Sequence, residues 1–352
     1  MASRIYLDHA ATTPLRPEAR AAMEEGFRLW ANPSSPHAEG RKARALLEDA
    51  RERIKRSLGW DGELIFTSGA SEALAIGLGR AQGRRCIVSA VEHDAVFRAA
   101  PGAIVAPVGD DGFIDRAHLA EALADGPAIC AIQHVNSETG TMQNLDDLRA
   151  ALNTSGSLLL TDCSQSAQGY SIPDADMIVV SAHKAGGPIG VGALLVRDFA
   201  MLEPSGGHER GYRQGTENLP GALGMAAALE ASRKPDGWTS LAVNDAFDAW
   251  REAVIASGGT DVSPGVWGAH AIAAVAHAQI GAQAMLIRLD GLGFAVSAGS
   301  ACSSGTLRKS RVLDAFGIDD STASRTIRVS IGWTTTVEDI ERFANAWASL
   351  TP

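Results

Sequence analysis

The sequence predicts an α/β fold: a large domain with a mainly parallel sheet covered by helices, and a smaller α+β domain. The first observation is a series of short, continuous apolar runs, each followed at once by polar and small residues. Such runs are typical of strands buried on both faces, as in a parallel sheet between helices. The runs begin at Glu63, Cys86, Ala128, Ser157 and Met177.

Helical patterns lie between several of these runs, which is the second observation that favours a parallel sheet with helical crossovers. Two further helices precede the first run, and a helix rich in small residues follows the last run. The predicted helices of this part are Pro17 to Trp30, Ala38 to Leu58, Ser71 to Arg80, Arg116 to Ala124, Leu145 to Leu152 and Pro220 to Ser232.

A change of pattern at Pro235-Asp236-Gly237 indicates a break between two domains. We predict a large domain over residues 15–237, and a small domain that combines residues 1–14 with residues 238–352. The small domain is expected to contain a helix, an apolar run, a strand and a final helix, at Leu241 to Ala256, Ala269 to Ala276, Thr326 to Gly332 and Val337 to Leu350.

The composition is that of a globular protein, with 352 residues, 45% hydrophobic residues and a formal net charge of -10. The negative charge argues against a nucleic-acid or membrane partner, since both require a basic footprint. No apolar segment approaches the length of a membrane span, and the N-terminus has no apolar core of a signal peptide. We therefore expect a cytoplasmic protein.

The four cysteines are scattered without the spacing of zinc ligands or of a disulfide framework. Cys86, Cys130 and Cys163 lie in or beside apolar runs, so we expect buried, inert thiols. Cys302 differs because it lies in SAGSACSSGTLRKS, a stretch of small residues that ends in basic residues. This setting favours an accessible thiol that nearby positive charge helps to ionise.

Two residues at strand ends point to chemistry. Lys184 follows the strand MIVVS and precedes a turn of glycine and proline, and Asp162 ends the strand at SLLLTD. A lone lysine is most often a solvated surface charge. Together, however, a lysine that forms a Schiff base and an aspartate that faces a pyridinium nitrogen are the two groups that pyridoxal phosphate chemistry requires.

Other polar positions have both a functional and a structural interpretation. Ser71 lies where a strand turns into a helix, which is either a phosphate site or a helix cap. His93 could stack on a flat ring or be structural, Asn136 could be a turn former, and Arg328 could bind a carboxylate or sit on an edge strand. The loop Gly206 to Asn218 either contacts a ligand or joins two subunits.

Ten motifs occur in a fixed order along nearly the whole chain: YLDHAATTP, NPSSPH, FTSGASEA, VEHDAV, HVNSETG, TDCSQS, SAHKAGGPIGVGAL, GGHERGYRQGTENLPG, SAGSACSSG and TIRVSIGWTTTVEDIE. In these motifs the chain resembles the pyridoxal-phosphate-dependent cysteine desulfurases of the nitrogen-fixation and iron-sulfur-cluster type, in the class V aminotransferase family. Ser71 stands where many members of that family have threonine, which keeps the hydroxyl group.

The resemblance implies a fold-type I homodimer that binds pyridoxal 5'-phosphate. It implies that Lys184 bonds the cofactor, that His93 stacks on its ring, that Asp162 pairs with the pyridine nitrogen, that Gln165 contacts the ring hydroxyl, and that Ser71, Ser181 and His183 hold the phosphate, with Thr216 arriving from the partner subunit.

The resemblance also implies the substrate and the reaction. Asn136 and Arg328 match residues that position L-cysteine, and Cys302 matches the nucleophile that takes its sulfur as a persulfide, leaving L-alanine. A scaffold or carrier protein would accept that sulfur. The alternatives are an aminotransferase or lyase of the same fold, which has no need of Cys302, and a non-catalytic assembly partner.

Overall fold

The computed structural model describes residues 4–81, 85–263, 269, 271–298 and 310–351. The strands within these ranges are β1 (Ile5–Tyr6), β2 (Glu63–Thr67), β3 (Arg85–Ser89), β4 (Ile104–Ala106), β5 (Ala128–Ala131), β6 (Leu158–Asp162), β7 (Met177–Ser181), β8 (Gly192–Val196), β9 (Thr260–Asp261), β10 (Ile272–Ala276), β11 (Phe294–Ala295) and β12 (Thr326–Ser330).

The α-helices alternate with these strands, as the sequence predicts. They are α1 (Pro17–Leu29), α2 (Ala38–Leu58), α3 (Ala70–Gly79), α4 (Asp94–Ala99), α5 (Arg116–Ala124), α6 (Asp146–Thr154), α7 (Leu219–Ser232), α8 (Leu241–Ala256), α9 (Ala282–Gly291), α10 (Arg311–Ala315), α11 (Asp320–Ala323) and α12 (Val337–Ala348). No helix within the ranges given above is long and apolar enough to cross a membrane.

Local sequence signals explain where several helices begin. Pro17 occupies the first turn of α1, where its missing N–H costs nothing. The side chains of Asp115 and Ser240 accept hydrogen bonds from the first turns of α5 and α8. Thr336 and Asp339 form a reciprocal capping box at the start of α12. These caps satisfy amide groups that would otherwise lack partners.

The large sheet has seven strands in the order β2-β8-β7-β6-β5-β3-β4. Strands β4, β3, β5, β6 and β7 pair in parallel, whereas β8 is antiparallel to both of its neighbours, β7 and β2. The prediction of a mainly parallel sheet is therefore confirmed, with β8 as the strand of opposite direction. The parallel strands place their carboxyl ends along one edge of the sheet.

Apolar side chains on alternate strand positions enter different clusters, which shows that both faces of the sheet are covered. Leu159 and Ile178 belong to a cluster shared with α2 and α7, whereas Leu160 and Val179 belong to a cluster shared with α3 and α4. Helices α1 and α7 pack so closely that a Cβ at Gly26 would lie only 2.7 Å from the Cα of Pro220, and the glycine permits this approach. This three-layer packing explains the continuous apolar runs of the sequence.

A separate apolar cluster joins the N-terminal residues to the C-terminal third of the chain. It contains Ile5 and Leu7 together with Phe247, Phe343 and other side chains of α8, α9 and α12. These elements surround a three-stranded antiparallel sheet, β12-β10-β9, and the parallel pair β1-β11. The division into residues 15–237, and residues 1–14 with 238–352, stays a prediction.

Candidate active site

A cavity of about 910 Å³ opens at the carboxyl-terminal edge of the parallel strands. Its wall combines residues of the large sheet with residues of the N-terminal segment and of β12. Most of the predicted site residues line this one cavity: Ser71, His93, Asp162, Gln165, Ser181, His183, Lys184 and Arg328. The fold thus brings together side chains that are up to 257 positions apart in the sequence: Asp162 and Lys184 come from strand ends of the parallel sheet, and Arg328 comes from β12 of the smaller sheet.

Lys184 is held at the end of β7 by a single turn of 3₁₀ helix, Ala182–Lys184. Its Nζ donates a hydrogen bond to the carbonyl oxygen of Ala10. Gly186 follows with a φ of +84°, and a Cβ there would lie 2.6 Å from the side chain of Arg16. Only glycine fits this turn, so the turn fixes the direction in which the chain leaves Lys184.

Asp162 ends β6 and lies on the cavity wall. Its Oδ1 accepts a hydrogen bond of 2.8 Å from the backbone N–H of Ser164. The hydroxyl oxygen of Ser164, also on the wall, is buried and has no hydrogen-bond partner among the described residues. A buried polar atom without a partner is costly, and a polar ligand in the cavity would supply one.

His93 caps α4, and its Nδ1 accepts a hydrogen bond of 3.1 Å from the N–H of Ala95. This contact places the proton of a neutral ring on Nε2. Loss of hydration lowers the pKa of His93, while Asp162 opposes that shift and Lys184 adds to it. The ring therefore lies within electrostatic reach of both predicted cofactor contacts.

The N-terminus of α3 borders the same cavity. Its capping residue is Gly69, which has no side chain to accept hydrogen bonds from the first amides of the helix, so an anion in the cavity can take that place. Glycine is required nearby, because a Cβ at Gly192 would lie 2.8 Å from the Cα of Gly69. Ser71 lies in the first turn, and the wall continues at Ser181. This arrangement suits an anion such as a phosphate.

His183 completes this end of the cavity. Its Nδ1 lies 3.0 Å from the hydroxyl oxygen of Thr12. Burial, followed by the positive charge of Lys184, lowers the pKa of His183 to about 4. The ring is therefore neutral at neutral pH and can offer one N–H as a donor.

Arg328 lies on β12, lines the same cavity and is only 5% exposed. Its Nη2 donates to Asp8 over 2.8 Å, and its Nη1 donates to the carbonyl oxygen of Ser137 over 2.9 Å. The Nε group has no hydrogen-bond partner in the described part of the chain. A guanidinium with an unused donor at a cavity wall is suited to bind a carboxylate.

Two predicted residues of the described ranges, Asn136 and Thr216, do not lie on the cavity wall. Asn136 is buried behind it, where Nδ2 donates to the carbonyl oxygen of Val91 and Oδ1 accepts from the N–H groups of Glu138 and Thr139. The contacts of Oδ1 agree with the structural interpretation of Asn136, in which it stabilises a turn. Thr216 is exposed on the loop that precedes α7. Cys302 lies outside the described residues.

The loop that carries Thr216 is anchored by a buried ion pair. The carboxylate of Glu209 accepts hydrogen bonds of 2.7 and 3.1 Å from Arg51, and a third from the N–H of Phe66. Both Glu209 and Arg210 have positive φ angles, 48° and 58°. This backbone conformation is strained for residues other than glycine, so the buried pair holds the loop in place.

Comparison with known proteins identifies the family. The chain matches the aminotransferase class-V family over residues 5–343. The chain belongs to this family. In sequence, this class-V protein is 35% identical to the cysteine desulfurase IscS of Dictyoglomus turgidum (strain DSM 6724 / Z-1310), over 97% of the present chain and 92% of that protein.

Solved structures of similar fold include two informative ones. A NifS-like protein from Rickettsia africae ESF-5 superposes on this class-V protein with a TM-score of 0.87 and 27% identity, covering 97% of the present chain and 98% of the other. A structure of SspA in complex with cysteine gives a TM-score of 0.81 and 28% identity, over 94% and 100% of the two chains. The fold class predicted from the sequence is confirmed.

Three acidic residues at or beside the cavity, Asp8, Glu92 and Glu138, were not predicted to have a role in the site. Asp8 pairs with Arg328, and Glu92 accepts a 2.7 Å hydrogen bond from the N–H of Gln133. Burial raises the pKa of Glu92 well above its usual value, with a further contribution from Asp162. Burial also raises the pKa of Glu138. Asp8 and Glu138 belong to motifs of the resemblance, YLDHAATTP and HVNSETG, which is the signal that could have found them.

Proposed function

We propose that this protein is a pyridoxal-phosphate-dependent cysteine desulfurase, which converts L-cysteine to L-alanine and transfers the sulfur to Cys302 as a persulfide. The observation that carries the proposal is the convergence of Lys184, Asp162 and Arg328 on one cavity. Those three side chains supply an amine for the cofactor, a counter-charge for its ring and an anchor for a substrate carboxylate. Relatives named cysteine desulfurase support the choice of substrate.

The side chains around the cavity fit pyridoxal phosphate, a cofactor on which the class-V family depends. The N-terminus of α3, which has no side-chain cap from Gly69, would direct its amides at the phosphate, and Ser71, Ser181 and His183 would hold it. The unpartnered hydroxyl of Ser164 provides a further polar contact. At the ring end, Asp162 would pair with the pyridine nitrogen, Gln165 would contact the ring hydroxyl and His93 would stack on the ring.

When bound, the cofactor supplies a protonated ring that withdraws electrons from the Cα of the substrate. Asp162 would keep the proton on the ring nitrogen by its negative charge. Lys184 would hold the cofactor, and its amine would move protons at the substrate's Cα. The neutral ring of His93, with its proton on Nε2, could assist by donating to the substrate and taking the proton back.

Arg328 would bind the carboxylate of cysteine and so direct its side chain toward the nucleophile. We keep Asn136 as a proposed substrate contact, although its amide is engaged in the turn. The thiolate of Cys302 would then attack the substrate's sulfur, so that an S–S bond forms and the C–S bond breaks. The net reaction converts L-cysteine and the Cys302 thiol to L-alanine and a Cys302 persulfide.

We further propose a cytoplasmic homodimer that delivers its sulfur to a scaffold or carrier protein, for iron-sulfur cluster assembly or another route of sulfur trafficking. Thr216 would reach the phosphate of the neighbouring subunit. Its exposed position on a rigidly anchored loop supports this role, since the hydroxyl is available to a partner.

The test is to incubate the purified protein with pyridoxal phosphate, L-cysteine and a reductant, and to measure alanine and sulfide together. A desulfurase releases the two products in equal amounts. An aminotransferase would instead need a keto-acid acceptor and would not release alanine and sulfide in equal amounts. A non-catalytic partner would leave cysteine unchanged. Either of these results would contradict the proposed function.

A further inference from the structure

We propose that Asp8 is a positioning residue for the substrate carboxylate, because it fixes the guanidinium of Arg328 at the cavity wall. This inference rests on the proposed function, in which Arg328 binds the carboxylate of cysteine. The Asp8 carboxylate accepts from Nη2 over 2.8 Å, while Ser137 accepts from Nη1 over 2.9 Å. Together the two contacts hold the guanidinium plane and leave Nε without a partner among the described residues.

Backbone pairing explains why Asp8 reaches Arg328 across 320 positions of sequence. Asp8 forms a parallel bridge with Ser330, two residues after Arg328 on β12. The N–H of Ser330 donates to the carbonyl oxygen of Leu7, and its hydroxyl accepts from the N–H of Ala10. Residues two apart on a strand share a face, so this register places the carboxylate beside the guanidinium.

The charge of Asp8 matters because the side chain of Arg328 is almost fully buried. A buried guanidinium without a counter-charge is costly, so it would move toward another carboxylate. Glu138 is another carboxylate within electrostatic range, because the charge of Arg328 lowers the pKa of Glu138 and so partly offsets the effect of burial. Its Oε2 accepts a hydrogen bond from the hydroxyl of Ser310 over 2.5 Å. Without Asp8, Arg328 would be drawn toward Glu138 and away from the position in which it can bind substrate.

The segment that contains Asp8 also contacts two other residues of the cavity wall. The carbonyl oxygen of Ala10 accepts hydrogen bonds from Nζ of Lys184 and, over 2.8 Å, from Nε2 of Gln165. The segment from Asp8 to Ala10 therefore sets the separation between the carboxylate anchor and the reactive amine. That separation must match an α-amino acid, in which one carbon carries both the amine and the carboxylate.

The experiment compares two ligands that differ by the carboxylate alone. L-Serine and ethanolamine share the amine and the hydroxyl, and neither carries the sulfur that Cys302 would attack. Their dissociation constants would be measured by calorimetry on the cofactor-loaded protein, for the wild type, Asp8→Ala, Asp8→Asn and Asp290→Ala. Asp290 is the matched control, because it forms an exposed ion pair with Arg4 near the same N-terminal segment.

In Asp8→Ala we expect L-serine to bind roughly 10-fold more weakly, as for the loss of one charge-assisted contact, with ethanolamine unchanged within about 2-fold. Asp8→Asn keeps an oxygen that accepts from Nη2, so its loss should be smaller, roughly 3-fold. Asp290→Ala should match the wild type. In the desulfurase assay, Asp8→Ala should raise the KM for cysteine more than it lowers kcat.

The inference is overturned if Asp8→Ala binds L-serine as tightly as the wild type or more tightly. It is also overturned if the affinity for ethanolamine falls equally, because that result indicates general damage to the site. If Asp8→Ala fails to fold, the test rests on Asp8→Asn. Wild-type affinity for L-serine in the asparagine variant would then contradict the inference. A wild type that binds neither ligand and produces no alanine contradicts the proposed function itself.

Discussion

Nζ of Lys184 donates a hydrogen bond to the backbone carbonyl oxygen of Ala10. This contact joins the end of β7 to the N-terminal segment, which pairs with β12 through Ser330. The reactive amine is therefore held by the same segment that contacts the substrate end of the site. Because the acceptor is a backbone carbonyl, the contact directs the amine without depending on the side chain at position 10.

Replacing Lys184 by alanine should abolish covalent attachment of the cofactor. This result is expected because, among the described residues, Lys184 is the lysine that lines the cavity. Treatment of the loaded wild type with borohydride should add the mass of reduced pyridoxal phosphate to the peptide that contains Lys184. Lys42→Ala, on the exposed face of α2, is the control and should retain the label. A label on any other lysine would refute the assignment.

Replacing Arg328 by alanine should weaken capture of cysteine more than it weakens cofactor binding. A charge-assisted bidentate contact contributes about 1.5 to 3 kcal/mol, which corresponds to a roughly 10- to 150-fold rise in KM. Steady-state kinetics with cysteine would measure the effect, and titration with pyridoxal phosphate would provide the control. An unchanged KM would show that another group anchors the carboxylate.

Thr216 should act in the active site of the neighbouring subunit. A Lys184→Ala subunit and a Thr216→Ala subunit are each expected to give a poorly active homodimer. After subunit exchange, the heterodimer contains one site with both defects and one site with neither, so activity should recover. Failure to recover, with exchange proven by differently tagged subunits, would indicate that each site is built from a single chain.

Buried neutral histidines should make the protein less stable in mild acid. Burial lowers the pKa of His134, which is 8% exposed, to about 4, whereas an unfolded histidine titrates near 6.5. Between these values the unfolded state binds more protons than the folded state, so stability is lost as the pH falls from about 6.5 toward 4. The loss attributable to one such histidine should reach about 2 kcal/mol at pH 5.

Urea unfolding of the wild type and of His134→Asn at pH 7 and pH 5 measures this effect. The asparagine variant should lose less stability between the two pH values, because its side chain does not titrate. His118→Asn, on α5, controls for the loss of an imidazole as such. An equal loss of stability in wild type and His134→Asn would contradict the explanation.

The sequence was sufficient to predict five strands of the large sheet and several of its helices, because strands such as Met177–Ser181 are buried on both faces and form continuous apolar runs. It did not predict β4, α4 or the short helices of the C-terminal third. Asp162 and Lys184, which the sequence placed at strand ends, line the same cavity because the carboxyl ends of parallel strands lie at one edge of the sheet. The opposite direction of β8 was not predicted. It follows from the short turn after Lys184, which leaves no room for a helical crossover.

The part of the site that was missed depends on contacts between distant segments. Asp8 acquires its role because the N-terminal segment pairs with β12, and local periodicity carries no information on that pairing. Acidic residues such as Glu92 and Glu138 are ordinarily found at the surface, and only the fold shows that Glu92 is buried and Glu138 partly buried. The interpretation of Asn136 as a substrate contact stays a prediction, because its side chain is bonded within its own turn.

The central claim is that sulfur passes from cysteine to Cys302. The most direct measurement is mass spectrometry of the cofactor-loaded protein after reaction with L-cysteine without reductant, followed by alkylation and digestion. We expect one extra sulfur atom on the peptide that contains Cys302, no such mass on the peptides with Cys86, Cys130 or Cys163, and no sulfide from Cys302→Ser. A persulfide on another cysteine, or wild-type production of alanine and sulfide by Cys302→Ser, would contradict it.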